Sequence, residues 1–181
     1  MERSLAELEA GLAGIVASPA DVGHVRLMVR RPASGQREVV DEAALDPDAG
    51  LVGDDWSVRG SKRTPDGSSD REAQVTLMNS RVAELLAGEL ERWAAAGDQL
   101  YVDLDLSEVN VPSGTLLRIG SAVVAVSATP HTGCAKFAAR FGPDALRFVS
   151  SPVGRALRLR GLNTTVVESG IVRTGDAILK R

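Results

Sequence analysis

The chain has 181 residues, 44% of them hydrophobic and 25% charged, which is the size and composition of a single globular domain. Its net charge of −3 argues against a nucleic-acid partner, and its single cysteine excludes an internal disulfide and a zinc site built from several thiolates. No apolar stretch approaches the roughly 18 residues that span a membrane, and the first residues lack the apolar core of a signal peptide. We therefore expect a cytoplasmic protein without a membrane partner.

The beginning of the chain shows a helix signal followed by a strand signal. Ser4 and Glu7 form a capping-box pattern, and apolar residues at near-helical spacing follow them, which predicts a short amphipathic helix. Alternating apolar and polar residues over 24–30 predict a half-buried strand. We expect residues 1–20 to form an N-terminal helix and residues 21–181 the main domain.

The middle of the chain contains a long polar segment and then regular structure. Residues 46–70 are rich in Pro, Gly, Ser and Asp and lack periodicity, which predicts a loop that is either functional or disordered. Gln74–Met78 reads as a strand, and the apolar stripe after it predicts a helix that ends near Gly97. Leu100–Leu106 alternates, which is typical of a further strand.

The last third of the chain is dominated by strand signals. Residues 116–119 and 122–126 flank a Gly-Ser turn and predict a hairpin. A short helix is expected at 144–149, and closing strands at 165–168 and 177–179. The fold class predicted from this order is α+β and mainly β, a single domain built on a barrel-like sheet.

Charge is unevenly distributed along the chain. Residues 1–135 contain 12 basic and 21 acidic side chains, whereas residues 136–181 contain 9 basic and 3 acidic ones. A basic segment of this kind could hold an anionic ligand. The alternative is that its arginines pair with acidic side chains of the first part of the chain.

Cys134 is the residue that most strongly suggests chemistry. It follows a strand-like run and the structure-breaking Pro130, so its sulfur is expected on a loop held by a rigid element. His131 and Lys136 stand close to it in sequence, and a thiol beside basic groups can ionise to the thiolate that attacks or binds metal. The alternative is a small buried hydrophobic side chain, the usual role of a lone cysteine.

Three functional interpretations of Cys134 remain open on residue types alone. Cys134 could be a nucleophile with His131 as its base, although this spacing is not diagnostic. It could be a thiolate ligand to a metal that an organic dithiolate already chelates. The region could instead bind a phosphate-bearing ligand without chemistry. The candidate anchors for that ligand are Arg71, Lys136, Arg158 and Arg160.

Seven short motifs follow one another in order over most of the chain. They are Gly50–Asp54, Arg71 with Gln74–Leu77, Gly97–Leu100, Gly114–Gly120, His131–Cys134, Arg160–Leu162 and Gly170–Asp176. In order and spacing this set resembles the MOSC family, the molybdenum cofactor sulfurase C-terminal domain. The resemblance implies a MOSC-type β-barrel with a few peripheral helices.

The same resemblance implies a cofactor and a set of site residues. The cofactor is the molybdenum cofactor, a pyranopterin whose dithiolene sulfurs hold the metal, and Cys134 would ligate molybdenum. His131 would stand near the open coordination position as a proton donor with an ordinary pKa near ~6.5. The residues expected to hold the cofactor are Asp54, Arg71, Gln99, Lys136 and Arg160.

The function implied is the reduction of N-hydroxylated small molecules with electrons from an external partner protein. The alternative is a non-catalytic carrier that delivers cofactor, or sulfur as a persulfide on Cys134, to another enzyme. A domain that only interacts with partners is a third option, so whether the chain is an enzyme stays open. The chain has no room for a pyridoxal-phosphate desulfurase domain, and no pyridoxal phosphate site is expected.

Overall fold

A computed structural model describes residues 2–181, and its central feature is a closed barrel of seven strands. The barrel strands are β1 Val22–Arg30, β5 Val75–Asn79, β6 Leu100–Asp103, β7 Leu116–Ile119, β8 Ala122–Val126, β9 Leu162–Glu168 and β11 Ala177–Lys180. The barrel closes because β1 pairs with β6 on one side and with β11 on the other. Neighbouring barrel strands are antiparallel, apart from the parallel pair β5 and β6. The predicted barrel is therefore confirmed.

Four shorter strands lie outside the barrel. They are β2 Glu38–Val40, β3 Glu42–Asp46, β4 Gly50–Leu51 and β10 Gly170–Arg173. β2 pairs with the end of β1, whereas β3 pairs with both β4 and β10 to form a small second sheet. Since β10 lies in the chain between β9 and β11, the small sheet is attached directly to the barrel.

Two hydrophobic clusters form the core. The barrel interior holds aliphatic side chains such as Val75, Leu77 and Leu117, as the low aromatic content of 3% requires. The second cluster lies between the barrel and the helices and contains most of the aromatic residues, including Tyr101 and Phe137. Each fully buried large side chain of this kind contributes roughly 1.5–3 kcal/mol to the free energy of unfolding.

The predicted N-terminal helix is present as two short helices, α1 Leu5–Ala10 and α2 Leu12–Val16. The capping box is confirmed, because the Ser4 hydroxyl accepts a hydrogen bond from the Glu7 amide and the Glu7 carboxylate accepts one from the Ser4 amide. The break falls at Gly11, where a Cβ would lie 2.5 Å from Leu85. A close contact thus selects glycine, which favours a helix less than other residues do.

The predicted helix after β5 is likewise divided. α4 Ser80–Ala87 begins with Asn79, whose side chain accepts a hydrogen bond from the Arg81 amide, and ends at Gly88 with φ +74°. A 3₁₀ helix, Leu90–Ala96, follows and ends at Gly97. The left-handed backbone at Gly88 interrupts the hydrogen-bond ladder, a break that the apolar stripe alone did not predict.

Three helices occupy the segment between β8 and β9: α5 Ala135–Phe141, α6 Pro143–Ser150 and α7 Pro152–Ala156. Only α6 was predicted, from the proline at its first turn. α5 packs Phe137 and Phe141 into the second cluster. These helices form one wall beside the loop that carries Cys134.

The polar segment contains a short helix, α3 Trp56–Arg59, and then a loop of ordered turns. The indole of Trp56 donates a hydrogen bond to the carbonyl of Asp70, and the Ser69 hydroxyl donates to the carbonyl of Trp56. Across the loop, the amide of Ser61 donates to the carbonyl of Gly67. These hydrogen bonds join the two ends of the loop to each other. Within residues 2–181 no helix is long and apolar enough to cross a membrane.

Candidate functional site

Cys134 stands at the junction between the loop after β8 and the start of α5. Its backbone is extended, with φ −134°, and its carbonyl accepts hydrogen bonds from the amides of Phe137 and Ala138 in the first turn of the helix. The thiol itself forms no capping bond and is exposed to solvent. The interpretation of Cys134 as a small buried side chain is therefore wrong.

The thiol opens into a cavity of about 410 Å³, here called the thiol cavity. Four basic residues line it, and one acidic residue, Asp70, partly offsets them. The basic residues are Arg31, Arg59, Lys62 and Arg63. Three of these basic side chains are paired with carboxylates, and Lys62 forms no ion pair within the described residues. Guanidinium and ammonium donors around an accessible thiol suit an anionic ligand at this position.

Internal ion pairs hold three of these basic side chains, the longest being that of Arg63 with Asp70 at 3.9 Å. The guanidinium of Arg31 donates two hydrogen bonds of 2.8 Å to the carboxylate of Asp54 and a third, of 3.1 Å, to the carbonyl of Gly97. Arg59 pairs with Asp55 one helical turn before it, at 3.1 Å. The arginines are thus preorganised at the cavity, which lowers the entropic cost of ligand binding.

His131 lies at the back of the thiol cavity, with a side chain that is only 17% exposed. Its Nδ1 is cut off from solvent and lies 3.3 Å from Oδ1 of Asp98. Burial lowers the pKa of His131 to about 4, with a further lowering by the positive charge of Arg160, while the carboxylate of Asp98 opposes both. His131 is therefore neutral at neutral pH, and the ordinary pKa expected from the sequence is corrected.

Asp98 is also the partner of Arg160. Its second oxygen, Oδ2, accepts a hydrogen bond of 2.7 Å from Arg160 Nη1, and both side chains are buried. Arg160 donates further to the carbonyl of Ala96 and stacks on the ring of Phe137, with its Cζ 5.0 Å from the ring centre. One carboxylate thus binds a buried arginine and also faces the histidine, although Oδ1 of Asp98 and Nδ1 of His131 form no hydrogen bond.

A second cavity of about 350 Å³ lies on the other face of the same loop and is here called the back cavity. His131 and Thr132 line both cavities, so one short segment separates them. Cys134 lines only the thiol cavity. The back cavity is bounded by the residues before β9, which include Arg158 and Arg160, and by α6 and α7.

The structure brings some of the predicted site residues together and keeps others apart. Cys134 and His131 line the thiol cavity. Arg160 does not line it, but it binds Asp98, which lies next to His131. Lys136 is exposed in the first turn of α5 and does not line the thiol cavity. Arg71 lies on the far side of Asp70, exposed and paired with Asp48 at 3.1 Å.

The other two predicted cofactor residues are buried and fully engaged with the protein. The Gln99 side chain accepts hydrogen bonds from the amide and hydroxyl of Thr76 and donates to the carbonyl of Gln74, so it joins two barrel strands. Asp54 binds Arg31 and influences the thiol cavity through that arginine. Both side chains therefore hold neighbouring residues in place and do not themselves line the thiol cavity.

Sequence reasoning missed the basic residues Arg59, Lys62 and Arg63, and also Asp98. The available signal was the basic cluster within the long polar segment, together with the expectation that such a segment is functional or disordered. Nothing in the sequence placed that segment beside Cys134, because the two are about 70 residues apart and meet only through the barrel.

The site thus consists of an accessible cysteine at the start of α5, in a cavity lined mainly by basic and polar side chains. Residues 50–179 match the family model of the MOSC domain. The protein therefore belongs to the MOSC domain family, which confirms the resemblance found in its motifs.

Three solved bacterial structures have the same fold. The YuaD protein of Bacillus subtilis has a TM-score of 0.63 at 16% identity, covering 87% of this chain and 94% of that chain. YiiM from Escherichia coli has a TM-score of 0.57 at 20% identity, covering 87% and 69% respectively. YiiM from Geobacillus stearothermophilus has a TM-score of 0.54 at 17% identity, covering 88% and 73%. These likenesses concern the fold, and no curated protein sequence matches the chain significantly.

Proposed function

We propose that the protein binds the molybdenum cofactor in the thiol cavity, with Cys134 as the metal ligand, and reduces N-hydroxylated small molecules. The observation that carries the proposal is the exposed thiol of Cys134 in a cavity lined by four basic side chains and one acidic one. A thiolate is a soft ligand suited to molybdenum, and guanidinium groups suit the anionic oxygens of a pyranopterin.

The donor set of the cavity fits a metal that arrives with its own ligands. Among residues 2–181 there is no group of three or more His, Cys, Asp and Glu side chains that could hold a metal ion. One thiolate therefore suits a metal that an organic dithiolene already chelates. Arg31, Arg59, Lys62 and Arg63 would hold the cofactor, and the predicted contributions of Arg71 and Lys136 remain to be tested beside them.

His131 takes a modified role in this proposal. Nδ1 faces Oδ1 of Asp98 at 3.3 Å without a hydrogen bond between them. Because an ionised carboxylate only accepts hydrogen bonds, we assign the imidazole proton to Nδ1. Nε2 then presents a lone pair, and we assign it the task of accepting a hydrogen bond from the hydroxyl of a substrate. Because the pKa of His131 is about 4, the histidine is not protonated at neutral pH. The protons consumed in the reaction therefore come from water in the open cavity.

The stoichiometry of the overall reaction determines how many electrons and protons must be supplied. Converting an N-hydroxyl compound to the amine and water consumes two electrons and two protons. The cofactor, when bound, supplies the two-electron redox chemistry, and an external reductase of this cytoplasmic protein must supply the electrons. The residues of the chain bind and orient the substrate at the exposed rim.

Metal and pterin analysis tests the proposal directly. Protein expressed in cells that make the cofactor is expected to contain about one molybdenum and one pterin per chain. Cys134→Ala should lose the metal, and the triple variant Arg59→Gln, Lys62→Gln, Arg63→Gln should lose the pterin as well. Arg173→Gln, which removes an exposed charge on β10, is the matched control and should retain both.

The carrier alternative is an outcome of the same experiment. A persulfide on Cys134 found by mass spectrometry, with no turnover of hydroxylamines by loaded protein, would support a sulfur carrier. Full retention of molybdenum and turnover in Cys134→Ala would overturn the role of the thiol as ligand.

A further inference from the structure

We propose that the back cavity is a second ligand site, which takes a small monocarboxylate with an apolar body and anchors it on Arg158. This site is separate from the thiol cavity and does not depend on the cofactor. It rests on the shape of the cavity, the backbone of Arg158 and the charge balance around its guanidinium.

The back cavity is a formed space rather than a gap between mobile segments. Its volume of about 350 Å³ suits a small aromatic or aliphatic ligand, and Val149 and Leu162 provide apolar walls. Backbone packs tightly behind two of its glycines: a Cβ would lie 2.3 Å from the Phe148 carbonyl at Gly154, and 2.3 Å from the Leu77 carbonyl at Gly161. These walls cannot move inward easily, so the space persists without a ligand.

Arg158 has an unusual backbone. Within residues 2–181 it is the one residue other than glycine with a positive φ, +48°. Its amide donates to the carbonyl of Arg155 and its carbonyl accepts from the amide of Gly161, which fixes the turn. A bulky side chain in the left-handed region costs free energy that glycine or asparagine would largely avoid. Such strain is concentrated at functional sites, where the side chain must be held in place.

The guanidinium of Arg158 is half-buried and retains free hydrogen-bond donors. Nη1 donates a hydrogen bond of 2.6 Å to the carbonyl of Val111, which leaves Nε and Nη2 without protein partners. Arg158 forms no ion pair within residues 2–181, whereas Arg160 in the same cavity is neutralised by Asp98. Burial lowers the pKa of Arg158, and the negative charge of Glu108 in the same cavity opposes this shift.

The charge balance selects a monoanion. Glu108 and Arg155 also line the back cavity, and their opposite charges cancel. Because Asp98 neutralises Arg160, Arg158 supplies the one net positive charge, and Glu108 would repel the second charge of a phosphate dianion. A carboxylate accepts two parallel hydrogen bonds from a guanidinium and carries one charge. An apolar body of benzoate size would then face Val149 and Leu162.

Binding of benzoate to the full chain tests this site. In amide NMR spectra we expect benzoate to shift the resonances of Gly133, Gly154 and Gly161, and the neutral isostere benzamide to bind at least about tenfold more weakly. Arg158→Asn should fold normally, because asparagine tolerates a positive φ. It should bind benzoate at least about tenfold more weakly than the wild type does. Arg158→Lys keeps the positive charge but loses the paired N–H donors of the guanidinium. Its affinity for benzoate should therefore lie between those of the wild type and Arg158→Asn.

Two controls keep this test apart from that of the cofactor. Cys134→Ala should bind benzoate as the wild type does, and so should Arg147→Asn, which removes an exposed arginine on α6. Equal binding of benzoate and benzamide, or unchanged affinity in Arg158→Asn, would overturn the proposal. Tighter binding of phenyl phosphate than of benzoate would overturn the assignment of a carboxylate.

Discussion

Nδ1 of His131 lies 3.3 Å from Oδ1 of Asp98, and both atoms are cut off from solvent. The same carboxylate binds Arg160 through its other oxygen. While His131 is neutral, the negative charge of Asp98 is balanced by one buried positive charge, that of Arg160. Burial of the imidazole is the main physical cause of the low pKa of His131, and repulsion between its protonated form and Arg160 adds to it.

This arrangement predicts a pH dependence of stability. Because the pKa of His131 is about 4 in the folded state and near ~6.5 unfolded, the unfolded chain binds more protons between these values. The free energy of unfolding should fall as the pH drops through this window, by on the order of 3 kcal/mol from this residue. Urea unfolding of wild type and His131→Gln, from about pH 7.5 down to about pH 4.5, measures the difference. A stability difference between the two proteins that does not change with pH would contradict the low pKa.

Asp98→Asn is expected to be strongly destabilising. It leaves the buried guanidinium of Arg160 without its counter-ion, which costs about 3–5 kcal/mol in the free energy of unfolding. Asp103→Asn is the matched control, because Asp103 pairs with Arg81 in a partly exposed position and should cost about 1 kcal/mol or less. Similar losses in the two variants would show that the Asp98 pair is far better solvated than its burial indicates.

Much of the barrel could be predicted because its signals are local. The hairpin of β7 and β8, the strand β1 and the helix α6 each carry their own turn, alternation or cap. The division of the helix before Gly97 depends on Gly88 and its left-handed backbone, which periodicity does not report. The predicted strand over 100–106 ends at Asp103, where the chain leaves the sheet.

The site was predictable in part only. Cys134 and His131 are neighbours in sequence, so their proximity needed no tertiary information. The cavity around the thiol is completed by Arg59 and Lys62, which the fold brings from a distant segment. The low pKa of His131 depends on its burial and on the charge of Arg160, and both require the folded chain.

The turn before β9 should tolerate no side chain at Gly161. Its φ is +93°, and a Cβ would lie 2.3 Å from the carbonyl of Leu77. Gly175 has a nearly identical φ of +92° with open space around it, so Gly175→Ala isolates the cost of the backbone conformation, about 1–2 kcal/mol. Gly161→Ala should cost roughly 1–3 kcal/mol more because the strand must also shift. Equal unfolding midpoints for the two variants in urea would show that the contact relaxes freely.

The positive charge of the thiol cavity should appear in the reactivity of Cys134. Because the thiol is exposed, neutral iodoacetamide is expected to alkylate the native protein at its single cysteine without denaturant. Dithiobis-nitrobenzoate carries two negative charges, so the basic lining should raise its local concentration and its rate. Replacing Arg59, Lys62 and Arg63 with glutamine should slow this anionic reagent roughly tenfold at low salt and leave the iodoacetamide rate nearly unchanged. Added salt should reduce the difference between wild type and variant, and Arg173→Gln should behave as wild type. If the two reagents slowed equally, the loss would reflect a rearranged loop, and the electrostatic basis of the proposed cofactor site would be wrong.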